Sequence, residues 1–169
     1  LSNRPSVNYS KLVLNYGSQT IIPNEFESLV KNRNAFTIKP FLRAYDLIQR
    51  EDIFDSVDEL PFVIVGSGLA AIEVSYALRK RWRGRSLKLL CDSRKINNKI
   101  LKSLRNSNID IVENLNFEYG KILLCTGNTS PLWAQKKLLD SDSHGRIITN
   151  QNLQLKSFSG IFAAGDCAV

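Results

Sequence analysis

Pro61-Phe-Val-Ile-Val-Gly-Ser-Gly-Leu-Ala-Ala-Ile-Glu73 decides the fold of this 169-residue chain. Phe62 to Val65 is a continuous apolar, β-rich run, the pattern of a strand buried on both faces of a parallel sheet. Gly66, Gly68 and Ala71 then spell G-x-G-x-x-A where that strand gives way to a helix. Gly66 permits the tight turn out of the strand. Gly68 presents bare backbone to a pyrophosphate, and Ala71 is small enough for the helix to lie close against the strand. A helix beginning near Leu69 aims its unpaired N–H groups and the positive end of its dipole at the same place. Its apolar residues (Leu69, Ala70, Ile72, Val74, Leu78) predict a helix largely buried against the sheet. It runs into Arg79-Lys-Arg-Trp-Arg-Gly-Arg85, where Gly84 is expected just past the helix end. Glycines also mark ordinary turns, so the motif is weak alone. A strand before it and a helix after it turn it into a dinucleotide site.

The next strand, Ser86 to Asp92, should carry the ribose contact. In this fold an acidic residue at the end of the second strand accepts hydrogen bonds from the adenosine ribose, and Asp92 stands near that place. Cys91 is an alternative strand end, and Arg94 and Lys95 are equally suited to a 2′-phosphate. The competing reading makes Asp92 or Ser93 a helix cap in a solvated turn. Asp92 favours NADH over NADPH. Further out, Lys11 to Leu14 reads as a short strand ending near Gly17-Ser18, and residues 19–35 as irregular. Phe41, Leu42, Tyr45, Leu47 and Ile48 pattern an amphipathic helix from Pro40 to Ile53. Lys99 to Arg105 reads as helix, and Ile109–Val112, Lys121–Gly127 and Ile161–Ala164 as strands. Residues 141–146 form a polar turn, and Ile147-Ile148 and Leu153–Leu155 are short extended pieces. Parallel-type strands joined by helices define an α/β chain.

Composition narrows the function classes. A hydrophobic content of 43% is ample for a core. No stretch approaches the ~20 apolar residues of a membrane span, and no signal-peptide pattern is present. The three cysteines (Cys91, Cys125, Cys167) are scattered, each inside an apolar run. They read as reduced, buried thiols of an intracellular protein rather than a disulfide framework. His144 is the only histidine, so neither a metal site nor a catalytic triad is supported. The net charge of +7 is spread along the chain with one knot at 79–85. That knot reads as a solvated helix end, with attraction of an anionic dinucleotide or a membrane surface as the alternative. No nucleic-acid recognition module is visible, and nucleic acid is not an expected partner.

Five stretches in order, K-L-V-L-N-Y-G-S (11–18), G-S-G-L-A-A-I-E (66–73), L-L-C-T-G-N (123–128), H-G-R-I-I-T-N (144–150) and L-K-S-F-S-G-I-F-A-A-G-D-C-A (155–168), resemble the two-dinucleotide-domain flavoproteins. These form the pyridine nucleotide-disulfide oxidoreductase superfamily, type II NADH dehydrogenases among them. F-T-I-K-P-F-L (36–42) and T-G-N-T-S-P-L-W (126–133) are similar to the NADH-dehydrogenase-like flavoprotein found fused to selenide, water dikinase. The resemblance implies an NAD(P)-binding Rossmann-like domain with a parallel sheet over 61–127, abridged. It implies incomplete pieces of a second, FAD-binding Rossmann-like domain at 1–22 and 128–169, with 23–60 as a connecting segment containing a helix. Asp166 matches the aspartate that accepts hydrogen bonds from the flavin ribityl chain, with Gly165 allowing close backbone approach and Ala168 near the isoalloxazine. Thr126-Gly127 matches the loop leading back to the flavin domain, Gly17-Ser18 the earlier crossover, and Glu73 an acidic residue near the nicotinamide end.

Two departures accompany the resemblance. No FAD-gripping GxGxxG precedes residue 66, the chain contains no Met, and it stops three residues after Asp166. An internal segment or truncated reading frame is therefore expected. The hairpin that family members carry between Val112 and Lys121 is reduced to a few residues. The implied function is an FAD-dependent NAD(P)H oxidoreductase, passing hydride from NAD(P)H to flavin and on to an acceptor such as a quinone. The cofactor carries that reaction, so no catalytic residue is named. The alternative is a non-catalytic remnant that binds a nucleotide or partner. A nicotinamide-only dehydrogenase or a methyltransferase fits less well, because Gly165-Asp166 follows a distant second apolar run. The resemblance is compatible with a cytoplasmic protein, peripheral contact with the cytoplasmic membrane face, and a homodimer.

Overall fold

The computed structural model describes residues 5–131 and 139–169, which divide into two compact units. One is continuous, from Thr20 to Gly127; the other joins the residues up to Gln19 with those from Asn128 onward. In chain order, β1 (Leu12–Leu14) belongs to the discontinuous unit, and β2 (Gln19–Thr20) lies where the chain passes into the continuous one. There a 3-10 turn at Asn24–Phe26 leads into α1 (Glu27–Lys31), β3 (Ala35–Thr37) and α2 (Phe41–Glu51). Next come β4 (Phe62–Val65), α3 (Leu69–Arg81), β5 (Leu87–Leu90), α4 (Asn98–Asn106), β6 (Ile109–Val112) and β7 (Ile122–Leu124). Then β8 (Asn128–Thr129) marks the return, and β9 (Ile161–Ala163) pairs with β1.

The continuous unit is built on a five-stranded sheet, all parallel, in the order β3-β7-β4-β5-β6. All four residues of the central β4 are buried, as its unbroken apolar run predicts. Period-2 alternation sends Phe62 and Ile64 to one face, where Leu87, Leu89, Ala44, Leu78 and Leu104 complete a core. Val63 and Val65 face the other side, against Phe26, Ile122, Leu124 and half-buried Leu29 and Val30. From β4 the chain moves through α3 to β5 and through α4 to β6 on one side, while β7 takes the place on β4's other side. The topological switch point, where open α/β sheets bind ligands, therefore lies between β4 and β7.

Several local expectations are corrected. Residues 19–35 are not irregular, since they contain α1 and lead into β3; both elements are too short to show a hydrophobic period. The segment 23–60 is part of the continuous unit, which begins at Thr20 rather than Pro61. In α2 the buried face is Ala44, Leu47, Ile48 and Glu51, whereas Phe41 and Leu42 are 60% and 76% exposed. Helix α3 buries only Ala71, Ile72, Ser75 and Leu78 and leaves Leu69 72% exposed.

The basic run after α3 departs furthest from its expected form. Gly84 does not cap the helix, because the chain is already extended at Trp82. Instead the Asp55 carboxylate accepts the N–H groups of Arg83, Gly84 and Arg85 at 3.0, 2.8 and 2.9 Å. Nor is the run simply solvated. Asp52 takes the guanidinium of Arg81 and the indole N–H of Trp82, and Arg79 donates to the carbonyls of Trp82 and Arg85. Arg85 is buried with Glu51, 2.7 Å away, and lies against the Phe62 and Trp82 rings.

The discontinuous unit is slighter. Leu12, Val13 and Leu14 align in parallel with Ile161, Phe162 and Ala163. Isolated bridges join Ile147 to Ala168, Thr149 to Leu155 and Gln154 to Phe162. Ile147, Leu155 and Ala163 are its buried apolar centre. The polar turn at 141–146 is organised by Asp142, which accepts the N–H groups of His144 and Arg146 and pairs with the Arg146 guanidinium.

Candidate dinucleotide-binding site

The turn from β4 to α3 is stitched into both neighbouring strands. Gly66 N–H donates to the Leu90 carbonyl at 3.0 Å, Cys125 N–H to the Val65 carbonyl at 2.8 Å, and Asp92 N–H to Ser67 Oγ at 3.0 Å. Gly66 has φ 144°, and a Cβ there would lie 2.4 Å from the Cys125 carbonyl oxygen and 3.2 Å from the Ala71 Cβ. It is required because β7 and α3 both close on it. Ala71 is fully buried at that contact, in keeping with the close helix–strand packing its small size allows. Gly68 differs: φ is −90°, and a Cβ there would meet nothing within 4 Å. Its carbonyl closes the first turn of α3 by accepting from Ala71 and Ile72. The N–H groups of Leu69 and Ala70 are left at the open end without intrahelical acceptors.

An open cleft of about 870 Å³ begins at this turn, lined by Gly66, Ser67, Cys91, Asp92, Arg94 and Glu113 and, across from them, by Glu25 and Phe26. Asp92 lines the cleft and also caps the turn at Ser93–Lys95. Its carboxylate accepts from Arg94 N, Nε and a terminal guanidinium nitrogen at 3.2, 2.9 and 3.1 Å. Arg94 thereby holds the Asp92 carboxyl below the usual carboxylate range. The Arg94 side chain is otherwise 89% exposed. Ser93 Oγ donates to Glu113 at 2.7 Å and fixes the end of β6 against the same rim. Glu73 is exposed on α3 and lies outside the cleft lining. Ser67 and Glu113 are rim residues that sequence reasoning missed, since their contacts depend on the β4–β5–β6 register.

Thr126 and Gly127 close the continuous unit. The Thr126 hydroxyl donates to the Ile21 carbonyl, and the Gly127 carbonyl accepts from Ile21 N–H at 3.0 Å. In the discontinuous unit, Asp166 accepts from Ser18 Oγ at 3.3 Å. The two share a polar concavity of about 220 Å³ with Asn128, Thr129, His144 and Arg146. Gly165 precedes Asp166 with φ 74°, where a Cβ would come within 2.9 Å of Asn15 Oδ1. Ala168 is half-buried in the bridge with Ile147 and does not line that concavity. His144 and Arg146 were not expected there; the Asp142 turn carries them in. The Leu132-Trp133 end of the 126–133 motif lies outside the described residues.

Two of the buried thiols, Cys125 and Cys91, are held in their protonated form. Burial pushes Cys125 up to about 12, and Cys91 is raised by burial and then by Glu113 and Asp92. Among the described residues no group of three or more His, Cys, Asp or Glu is placed to hold a metal ion. Among the same residues no helix is long and apolar enough to cross a membrane.

A parallel sheet with a Gly-x-Gly turn at its switch point, in a unit that interrupts a second, smaller one along the chain, defines the class: the chain has the fold of the pyridine nucleotide-disulfide oxidoreductases. Among curated proteins it is similar to a probable NADH dehydrogenase of Dictyostelium discoideum, 26% identical over 209 residues and covering 95% of this chain and 46% of that protein. It is also similar to ferroptosis suppressor protein 1 of Taeniopygia guttata, 24% identical, covering 99% of this chain and 52% of the relative. The chain thus spans about half the length of the curated relatives it matches. No protein-family model matches it. Among solved structures, an engineered water-forming NADPH oxidase bound to NADPH superposes with TM-score 0.71 at 22% identity, over 96% of this chain and 40% of that one. A Bacillus anthracis protein described as CoADR-RHD gives 0.73 at 19% identity, over 95% and 32%. Lactococcus lactis thioredoxin reductase gives 0.68 at 17%, over 94% and 57%. The α/β class and the superfamily resemblance read from the sequence are borne out.

Proposed function

We propose that this chain is the nicotinamide-dinucleotide-binding part of an FAD-dependent NAD(P)H oxidoreductase. The observation that carries the reading is the Gly66-Ser67-Gly68 turn at the switch point, opening on a cleft whose far rim is Asp92 and Arg94. The open space beside Gly68 and the unpaired N–H groups of Leu69 and Ala70 suit a pyrophosphate. Asp92 and Arg94 suit the adenosine ribose, the carboxylate accepting from its hydroxyls and the guanidinium meeting a 2′-phosphate. For flavin, Asp166 is the carboxylate that would accept hydrogen bonds, with Ser18 beside it and Gly165 allowing close backbone approach; Thr126-Gly127 and Ala168 are further positions carried by the resemblance. The chemistry supplied by the bound pair is two-electron hydride transfer from nicotinamide to flavin and onward to an acceptor, for which a quinone is our candidate. The residues of this chain bind and orient; none is assigned a proton transfer.

A second reading has one observation in its favour. The Asp166 concavity, at about 220 Å³, is below the ~300–1,000 Å³ of typical ligand pockets. On that reading the chain binds nicotinamide dinucleotide without turnover. An absorbance spectrum of the purified protein with FAD, before and after NADH, separates the two. A retained flavin band that bleaches on adding NADH supports the oxidoreductase. NADH binding without retained flavin leaves the binding module, and no NADH binding overturns both.

A further inference from the structure

The ends of β5 and β6 lie side by side at the far rim of the dinucleotide cleft. Leu90 aligns with Val112 in the parallel ladder, and Cys91 N–H donates to the Val112 carbonyl at 3.1 Å. The residues that follow, Asp92 and Glu113, therefore bring two carboxylates to one rim. Both bear on Cys91, whose thiol is pushed up by burial first and then by Glu113 and Asp92. Across the cleft stands Glu25. Among the described residues the lining thus holds three carboxylates against one guanidinium, in a chain whose net charge is +7. On the dinucleotide reading, excess negative charge at that rim calls for a function.

The donors of the turn at Ser93–Lys95 supply one. NADPH differs from NADH by a phosphate on the adenosine ribose, which carries close to two negative charges near neutral pH. That phosphate needs donors beside the ribose contact. The turn has three side chains that could serve, and each already faces an acid. Arg94 gives its guanidinium to Asp92 at 2.9 and 3.1 Å, and Lys95 Nζ stands 4.0 Å from the same carboxylate. Ser93 Oγ donates to Glu113 at 2.7 Å. The Arg94 and Lys95 contacts are exposed ion pairs, a kind that contributes little, so both side chains could turn to a phosphate. Glu113 is different. Its partner is a neutral hydroxyl, so the carboxylate keeps its full charge, and among the described residues no Lys or Arg forms an ion pair with it. A 2′-phosphate seated at the turn would meet that charge, whereas a 2′-hydroxyl brings none.

We propose that Glu113 is a coenzyme-selecting residue, which turns a 2′-phosphate away and so favours NADH over NADPH. It acts by like-charge repulsion and by holding the Ser93 hydroxyl. Discrimination then comes from what stands against the wrong ligand as well as from the Asp92 contact to the right one. The proposal rests on the dinucleotide reading of the cleft. It adds a residue that the Gly-x-Gly spacing does not reach, one strand further along the sheet than Asp92.

The test is a fluorescence titration of the full chain with NADH and with NADPH. It uses the unaltered protein and Glu113→Gln, which keeps an acceptor for Ser93 but removes the charge. The unaltered protein should bind NADPH more weakly than NADH, and the gap should narrow as salt rises from about 0.05 to about 0.5 M, since screening relieves repulsion. In Glu113→Gln the ratio of the NADPH Kd to the NADH Kd should fall at least about fivefold, through tighter NADPH, and depend less on salt. A ratio that the substitution leaves unchanged overturns the proposal and reduces Glu113 to a brace for the end of β6. Equal weakening of both dinucleotides does the same. If the variant does not fold, the salt series on the unaltered protein decides, and a ratio indifferent to salt overturns the selection. Equal affinity for the two in the unaltered protein overturns it with the coenzyme reading intact. Binding of neither dinucleotide is the separate failure of the coenzyme reading, and takes the proposal with it.

Discussion

The two motif glycines do different work, and each can be tested without the other. Gly66 is hemmed in by the Cys125 carbonyl, whereas Gly68 faces open space. Gly66→Ala is expected to cost about 2–4 kcal/mol in urea unfolding, from the clash and the positive φ together. Gly68→Val should cost no more than about 1 kcal/mol, yet raise the Kd for NADH at least tenfold by filling the phosphate position. Stability loss at Gly68 with unchanged NADH affinity would sink the motif reading. Asp92→Ala should release Arg94 from its carboxylate partner and move preference toward NADPH; a Kd ratio unaffected by the substitution would reassign the ribose contact. Both glycines and Asp92 were legible in the sequence because spacing from a buried strand fixes their places. Ser67 and Glu113 were not, for a serine hydroxyl and a carboxylate gain meaning only once β5 and β6 have a register.

At the scale of elements, the sheet was legible and the segments bracing it were not. The runs at 62–65 and 122–124 announce strands buried on both faces, since both faces must be apolar, whereas 109–112 is an edge strand with Asp110 exposed. The stretch from Glu51 to Leu60 looks like a polar connection, yet it holds the turn between α3 and β5. Glu51→Ala leaves Arg85 buried without its carboxylate and should cost about 3–5 kcal/mol in urea unfolding; replacing the two together by apolar residues should recover most of that loss. Asp55 gives a pH signature. Its carboxyl is held below the ordinary range, chiefly by the Arg85 N–H and further by those of Arg83 and Gly84. A carboxyl with a depressed folded-state value stabilises above its unfolded value, and the gain is lost as pH falls through the folded one. The difference between the unaltered protein and Asp55→Asn should therefore be about 1–2 kcal/mol at pH 6 and shrink by pH 3. A difference that stays constant would mean the carboxylate charge is not what holds the turn. Apolar character misled at the start of α2, where Phe41 and Leu42 looked like core but are exposed, and Ala44, Leu47 and Ile48 form the buried face.

Across the whole molecule, the two units differ in how much they bury. The continuous unit has an apolar core on each face of its sheet, while the discontinuous one centres on Ile147, Leu155 and Ala163. Amide hydrogen exchange should follow that division, with 62–65 and 122–124 slowest and 12–14 and 161–163 exchanging orders of magnitude faster. Comparable protection in both would show that the smaller unit draws stability from elsewhere. The division runs at Gln19–Thr20 and Gly127–Asn128. The nesting of one unit within the other also sets an order of events at the ribosome. Everything from Thr20 to Gly127 can emerge and pair while synthesis continues, at about 5–20 residues per second. The outer unit has no such freedom, because Leu14 must wait for Cys167, whose thiol meets its carbonyl 153 positions later in the chain. For that interval the Leu12–Leu14 segment is still apart from its parallel partner Ile161–Ala163, and it is there that a chaperone would have something to shield.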